Sequence, residues 1–248
     1  MEKQYIFNFK TDISKIKTSS KINNPFIKSL PEIARIAAQE FQEFITVESK
    51  KWNYNFHTQW GKMFGILVIK KDDNTCFYLG TVSGKLPGGK KCNKFIPSVF
   101  DESVGNFFIN KGMIELGEIS NQIKNTNSPS KIILLKEKRK KKSVTLQKQL
   151  FENYNFINLS GEYKNILEIF KNSSHGNPPA ATGECAAPKL LQYAIKHQLN
   201  PIALTEFWWG DFDENNGKKH TNYYPSCKNR CRPILEYMLE DEELFTKK

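Results

Sequence analysis

Between Pro31 and Ile45 apolar residues recur every three or four positions, at Ile33, Ile36, Ala37, Phe41, Phe44 and Ile45. That spacing predicts an amphipathic helix, with Pro31 in or beside its first turn. The pattern then changes. Phe64 to Ile69 carries apolar residues on both faces of an extended chain, and a second strand-like run follows the turn residues Asp72, Asp73 and Asn74. A two-stranded hairpin is expected, with the first strand central in its sheet. Next comes a loop rich in glycine, proline and lysine, from Leu86 to Asp101.

The second half alternates in the same coarse way. Ile114 to Lys124 suits a short helix, and the polar run "NTNSPS" breaks it. From Lys131 to Lys148 the composition favours a long, projecting helix. "GEYKNILEIF" predicts another helix, and the loop "SSHGNPPAATG", with its paired prolines, cannot continue it. A helix from about Glu184 to His197 is expected next, then a strand over "PIALTEFWW" and a polar loop holding His220. The last helix is expected from about Cys227 to Leu239, ahead of an acidic tail. This order describes a single α/β domain over residues 1–248, with a basic helical insertion at about 113–156.

Composition narrows the class. Of the 248 residues, 39% are apolar and 12% aromatic, enough to build a core and so to exclude wholesale disorder. No apolar run reaches 18 residues and the amino terminus lacks a signal-peptide core, so a soluble, cytoplasmic protein is expected, away from membranes. The formal net charge is +11, which favours a polyanionic partner, chiefly nucleic acid. Eight basic residues against the single Glu137 lie between Lys131 and Lys148. Within them Lys136, Lys138, Arg139, Lys140, Lys141 and Lys142 are the candidate phosphate contacts; a solvated basic face is the alternative.

Five cysteines, an odd number, do not form a disulfide framework. Cys185 stands at one expected helix start, and Cys227 and Cys231 stand at another. Helix starts stabilise thiolate charge, and zinc takes thiolate and imidazole ligands, usually four. Zinc is therefore the expected cofactor, held by Cys185, Cys227 and Cys231, with His220, His175 or a water as the fourth ligand. The competing account makes these cysteines small buried hydrophobes. Cys76 suits a strand core and Cys92 a loop thiol.

Two resemblances rest on these residues. The order of hairpin, ligand-bearing helix, strand and helix with paired cysteines resembles the zinc-dependent nucleobase deaminase fold, which implies a mixed sheet. On that resemblance Cys185 is the first ligand and "PSCKNRC" the second motif, while Ala187 stands where the family carries its proton-shuttling glutamate. Glu184 and Glu206 are then the candidate catalytic carboxylates.

The second resemblance is closer in sequence. The strings "GKMFGILVI", "SGKL", "FIPSVFD", "LLKEKRKKKS", "LQKQLFENY", "TGECAAPKLLQYA", "LTEFWWG" and "YYPSCKNRCRPILEYML" run from Gly61 to Leu239. They resemble the amino-terminal region of some bacterial RluA-type pseudouridine synthases. The resemblance implies a role in RNA modification, with tRNA or rRNA as partner. No H-R-L-D-type catalytic run occurs in this sequence. On this resemblance a synthase catalytic domain acting in trans is a candidate partner.

Three further features carry less chemistry. Trp208 and Trp209 suit one ring in the core and one at its rim better than a base-stacking platform. "SGKLPGGKK" offers backbone amides and lysines to a phosphate but lacks the spacing of a P-loop. His197 suits a helix end.

Overall fold

The computed structural model describes residues 3–240 except 29, 53, 58, 59, 88, 89, 101–106, 172, 212, 215 and 216. The acidic tail beyond Glu240, and the two glycines of "LPGGKK", therefore lie outside the described residues.

Strand β1 (Phe7–Asn8) precedes helix α1 (Glu32–Glu48), and the expected hairpin is β2 (Lys62–Lys70) with β3 (Cys76–Val82). Helices α2 (Phe107–Lys124) and α3 (Pro129–Phe151) follow, then the small strands β4 (Asn155–Ile157) and β5 (Tyr163–Asn165) and the short α4 (Ile166–Lys171). The chain continues through α5 (Ala186–Lys196), β6 (Asn200–Trp209), β7 (Tyr223–Tyr224) and α6 (Arg232–Leu239). No helix among the described residues is long and apolar enough to cross a membrane.

The main sheet has the order β1-β3-β2-β6-β7, with β2 at its centre as its two-sided apolar pattern requires. Phe64, Ile66 and Val68 face α1, where they meet Phe41 and Ile45. Leu67 and Ile69 face the opposite layer, where Leu190, Leu191 and Ala194 of α5 join Ile234 and Leu235 of α6. The strand is thus buried between two helical layers. Phe41 reaches so close to β3 that a Cβ on Gly80 would stand 2.4 Å from its ring, so the glycine is what admits the aromatic.

Helix and strand combine as expected, but the sheet is not mixed. Each strand pair among the described residues is antiparallel. Between β6 and β7 the cause is local: the described residues of the connection form no crossover helix, and a short return places the strands antiparallel. β3 and β6 do run the same way, but β2 lies between them.

"GEYKNILEIF" is not one helix. Asn165 divides it, because its Nδ2 donates to the carbonyls of Phe151, Glu152 and Tyr154 while its Oδ1 accepts the Leu167 N–H. The first part becomes β5 and only the second part is helical. The last helix also starts later than its sequence suggests, at Arg232 with Pro233 in the first turn. Residues 227–231 form a turn, closed by the Cys231 N–H on the Cys227 carbonyl at 3.2 Å.

The basic segment forms the second limb of a helical hairpin. α2 and α3 pack on each other, with Leu116, Ile119 and Leu135 buried between them. At Gly112 the helices touch, since a Cβ there would lie 2.7 Å from Leu146. Phe151, at the base of α3, is buried in the core of the body.

Candidate metal centre

Helix α5 reaches its place through a glycine. Gly65 of β2 has no side chain, and a Cβ built there would stand 2.7 Å from the Ala186 Cβ and 3.2 Å from Leu190 Cδ1. The first turn of α5 therefore rests on the strand backbone. Cys185, its N-cap residue, is held where the first turn of α5 meets the sheet. From the other side, the edge strand β7 leads through Pro225 and Ser226 into the turn that bears Cys227 and Cys231. Cys231 is the N-cap residue of α6.

The three sulfurs meet within 4.8 Å of one another. Cys231 is buried, Cys185 half-buried and Cys227 exposed. Cys227 and Cys231 stand 3.2 Å apart, Sγ to Sγ. Cys227 is the thiol that ionises first, because hydrogen bonds from the Cys185 and Cys231 thiols hold its pKa far below the usual thiol range. The bond with Cys227 pushes Cys185 up to about 12, and bonds with Cys185 and Cys227 raise Cys231 as well.

A tetrahedral zinc–thiolate site, with Zn–S near 2.3 Å, separates its sulfurs by about 3.8 Å. The cluster is of that size, with the Cys227–Cys231 pair needing to open by about half an ångström on that geometry. Two helix N-termini add the free N–H groups and positive dipole ends that favour thiolate charge. The donor set fits a soft or borderline cation such as zinc. Among the described residues these three sulfurs are the complete group, so three ligands for such a cation are accounted for there.

His220 is not that fourth ligand. Its ring lies 4.5 Å from that of Trp209 and 4.6 Å from that of His57, and its Nδ1 accepts the Gly210 N–H at 3.2 Å. The Trp209 ring belongs to the α1 side of the sheet, away from α5. His175 sits exposed in the loop after α4, also outside the cluster.

Glu206 does come close. It stands on β6 opposite Gly65 and is buried on the α5 face. Ser226 Oγ donates to its Oε2 at 2.6 Å, and the nearby Ala187 N–H also favours its charged form. Burial pushes its pKa up to about 7, and the nearby Cys227 charge adds to the rise. A cavity of about 20 Å³ lies beside it, lined also by Asn23, Thr205, Tyr224 and Ser226, with room for about one water.

Glu184 faces the other way and is tied into a separate web. It accepts from Ser98 Oγ at 2.9 Å and from the Tyr154 hydroxyl, and its backbone carbonyl accepts the Gly84 N–H at 2.6 Å. Lys189, one helical turn above Cys185, is buried with its Nζ 2.9 Å from the Gly84 carbonyl and 3.9 Å from Glu184. Burial lowers the Lys189 pKa, against the pull of Glu184. These bonds fasten the "SGKL" and "FIPSVFD" loops to the start of α5.

Lys189, Ser226 and Ser98 escaped the sequence reading. Lys189 had a usable signal: it is a lysine four residues after Cys185, in a helical stretch otherwise apolar from Ala186 to Leu191. Ser226 had only its place beside Cys227. Trp208 and Trp209 are both largely buried; Trp209 joins the core on the α1 side, while Trp208 lies outside both core layers with the Lys218 ammonium over its ring. Cys76 is half-buried against the core at the start of β3, and Cys92 is half-buried in its loop. His197 caps the end of α5, as expected.

Comparison with known protein families, with curated proteins and with solved structures finds no match.

Proposed function

We propose that this chain is a zinc-stabilised, RNA-binding module that serves RNA modification, with pseudouridine formation as the process. The observation that carries the metal half is the meeting of three thiols from two distant segments at two helix N-termini. Cysteines kept only as small hydrophobes have no need to meet, still less with one of them exposed. The RNA half rests on charge. Helix α3 has a net charge of +7 from its eight basic residues and one acid, out of +11 for the whole chain. The link to pseudouridine synthases rests on the sequence strings, and several of them support it by position. "SGKL", "FIPSVFD", "TGECAAPKLLQYA", "LTEFWWG" and "YYPSCKNRC" all contribute to the thiols or to the bonds around them.

A second reading, a zinc-dependent nucleobase deaminase, is favoured by the position of Glu206. Its carboxylate, supplied by β6, is buried near Ala187, which on the deaminase resemblance stands where the family carries its glutamate. In that reading zinc would activate a water at the fourth position.

Metal content and nucleoside composition together test both. Purified protein is expected to hold one zinc per chain, and Cys227→Ser to lose it. Zinc-free protein whose stability ignores Cys227→Ser would sink both readings. In RNA from a deletion strain, a missing pseudouridine supports the first reading; a base found in its amino form where the parent has it deaminated supports the second.

A further inference from the structure

The lysine run of α3 winds fully around its helix, so its charges do not share one face. At 100° per residue, Lys136, Arg139, Lys140 and Ser143 fall on one side, while Lys138 and Lys141 fall on the other. The first group faces α2. With Ser120 and Lys124 of that helix it lines a groove of about 560 Å³ between the two limbs of the hairpin. Arg139 is fixed there, its Nε donating to Ser120 Oγ at 2.8 Å, and Ser120 in turn donates to the Leu116 carbonyl at 2.7 Å. Its terminal nitrogens keep the planar fork that matches phosphate oxygens. Lys142 differs again, since it is ion-paired with Glu115 of α2.

We infer that this groove seats a single sugar–phosphate strand of RNA, held by Lys124, Lys136, Arg139 and Lys140, and that Lys138 and Lys141 take no direct part. The inference rests on the RNA-binding reading above and narrows it to one surface. Charge complementarity selects the occupant: four cationic side chains line the groove, and none of its lining residues is acidic. Its course along the hairpin suits a strand, because a shallow groove between two helices can follow one backbone. The hydroxyl of Ser143 is a further donor at the same wall.

The test uses two double variants of the full chain with identical net charge, Lys136→Ala with Lys140→Ala and Lys138→Ala with Lys141→Ala. Binding of a labelled single-stranded RNA oligonucleotide is followed by fluorescence anisotropy between 50 and 200 mM salt, with helicity checked by circular dichroism. Loss of the two groove lysines is expected to weaken binding about tenfold at low salt and to flatten the log–log salt slope by about 1.4. Loss of Lys138 and Lys141 is expected to change affinity by less than about twofold, the residue of long-range attraction. Equal losses in both variants would overturn the groove and leave RNA binding as a diffuse charge effect. A parent chain that does not bind the oligonucleotide would overturn the RNA-binding reading itself.

Discussion

Gly65→Ala probes the step that joins the fold to the thiol cluster. The added methyl would stand 2.7 Å from the Ala186 Cβ and 3.2 Å from Leu190 Cδ1. Carbon atoms in good contact sit about 3.5–4.0 Å apart, so α5 must retreat by about 1 Å. The strand cannot yield in its place, because β2 is hydrogen-bonded to β3 on one edge and β6 on the other. Overpacking of this kind costs about 1–3 kcal/mol. In a chain of this length that lowers the melting temperature by about 2–4 °C per kcal/mol. The site feels the same movement, since Cys185 immediately precedes Ala186. Zinc–ligand distances tolerate only about 0.2 Å, so a shift several times larger is expected to weaken metal binding more than stability. The assay pairs a denaturation curve with zinc retained after dialysis against a chelator. Gly117→Ala serves as the control, because nothing lies within 4 Å of its would-be Cβ in α2. It is expected to leave zinc unchanged and to add up to about 1 kcal/mol of stability. A Gly65→Ala protein with parental stability and parental zinc retention would refute the account of how α5 is seated.

Two further outcomes follow from buried groups. Burial raises the folded-state pKa of Glu206 to about 7, above its ordinary value of 4.5. The folded chain therefore holds that proton more tightly than the unfolded one, and this group's contribution to stability declines as pH rises from about 4.5 to about 7. The decline amounts to a few kcal/mol at most; Glu206→Gln in metal-free protein is expected to remove it, and parallel stability–pH curves for parent and variant would contradict the assignment. Phe41→Ala empties the space over Gly80 and is expected to cost about 3–5 kcal/mol by chemical denaturation. A loss below about 1 kcal/mol would mean that α1 does not hold the sheet through this ring.

Much of the architecture was legible along the chain. The three- and four-residue spacing after Pro31 marked α1, and the two-faced apolar run marked β2 as central, because local patterns record which sides of an element are buried. The long basic helix was legible for a similar reason: lysine, arginine, leucine and glutamine all favour helix, and Pro129 opens it. The failures occur where a distant partner decides. Asn165 looks like an ordinary polar residue until three carbonyls around the end of α3 and the start of β4 claim its amide. The mixed sheet failed because strand direction depends on how the chain returns, and β6 turns back directly into β7.

The candidate site divides along the same line. By itself the sequence determined the residue types: three cysteines near helix starts and a basic helix. Only the tertiary structure decided that Cys185 joins Cys227 and Cys231 while His220 packs against Trp209 instead. It also decided that Glu206 is buried against Ser226, and that half of the lysine run looks into a groove. The physical reason is separation. Side chains far apart in sequence meet through packing constraints such as the missing side chain of Gly65, and no local periodicity encodes such a constraint.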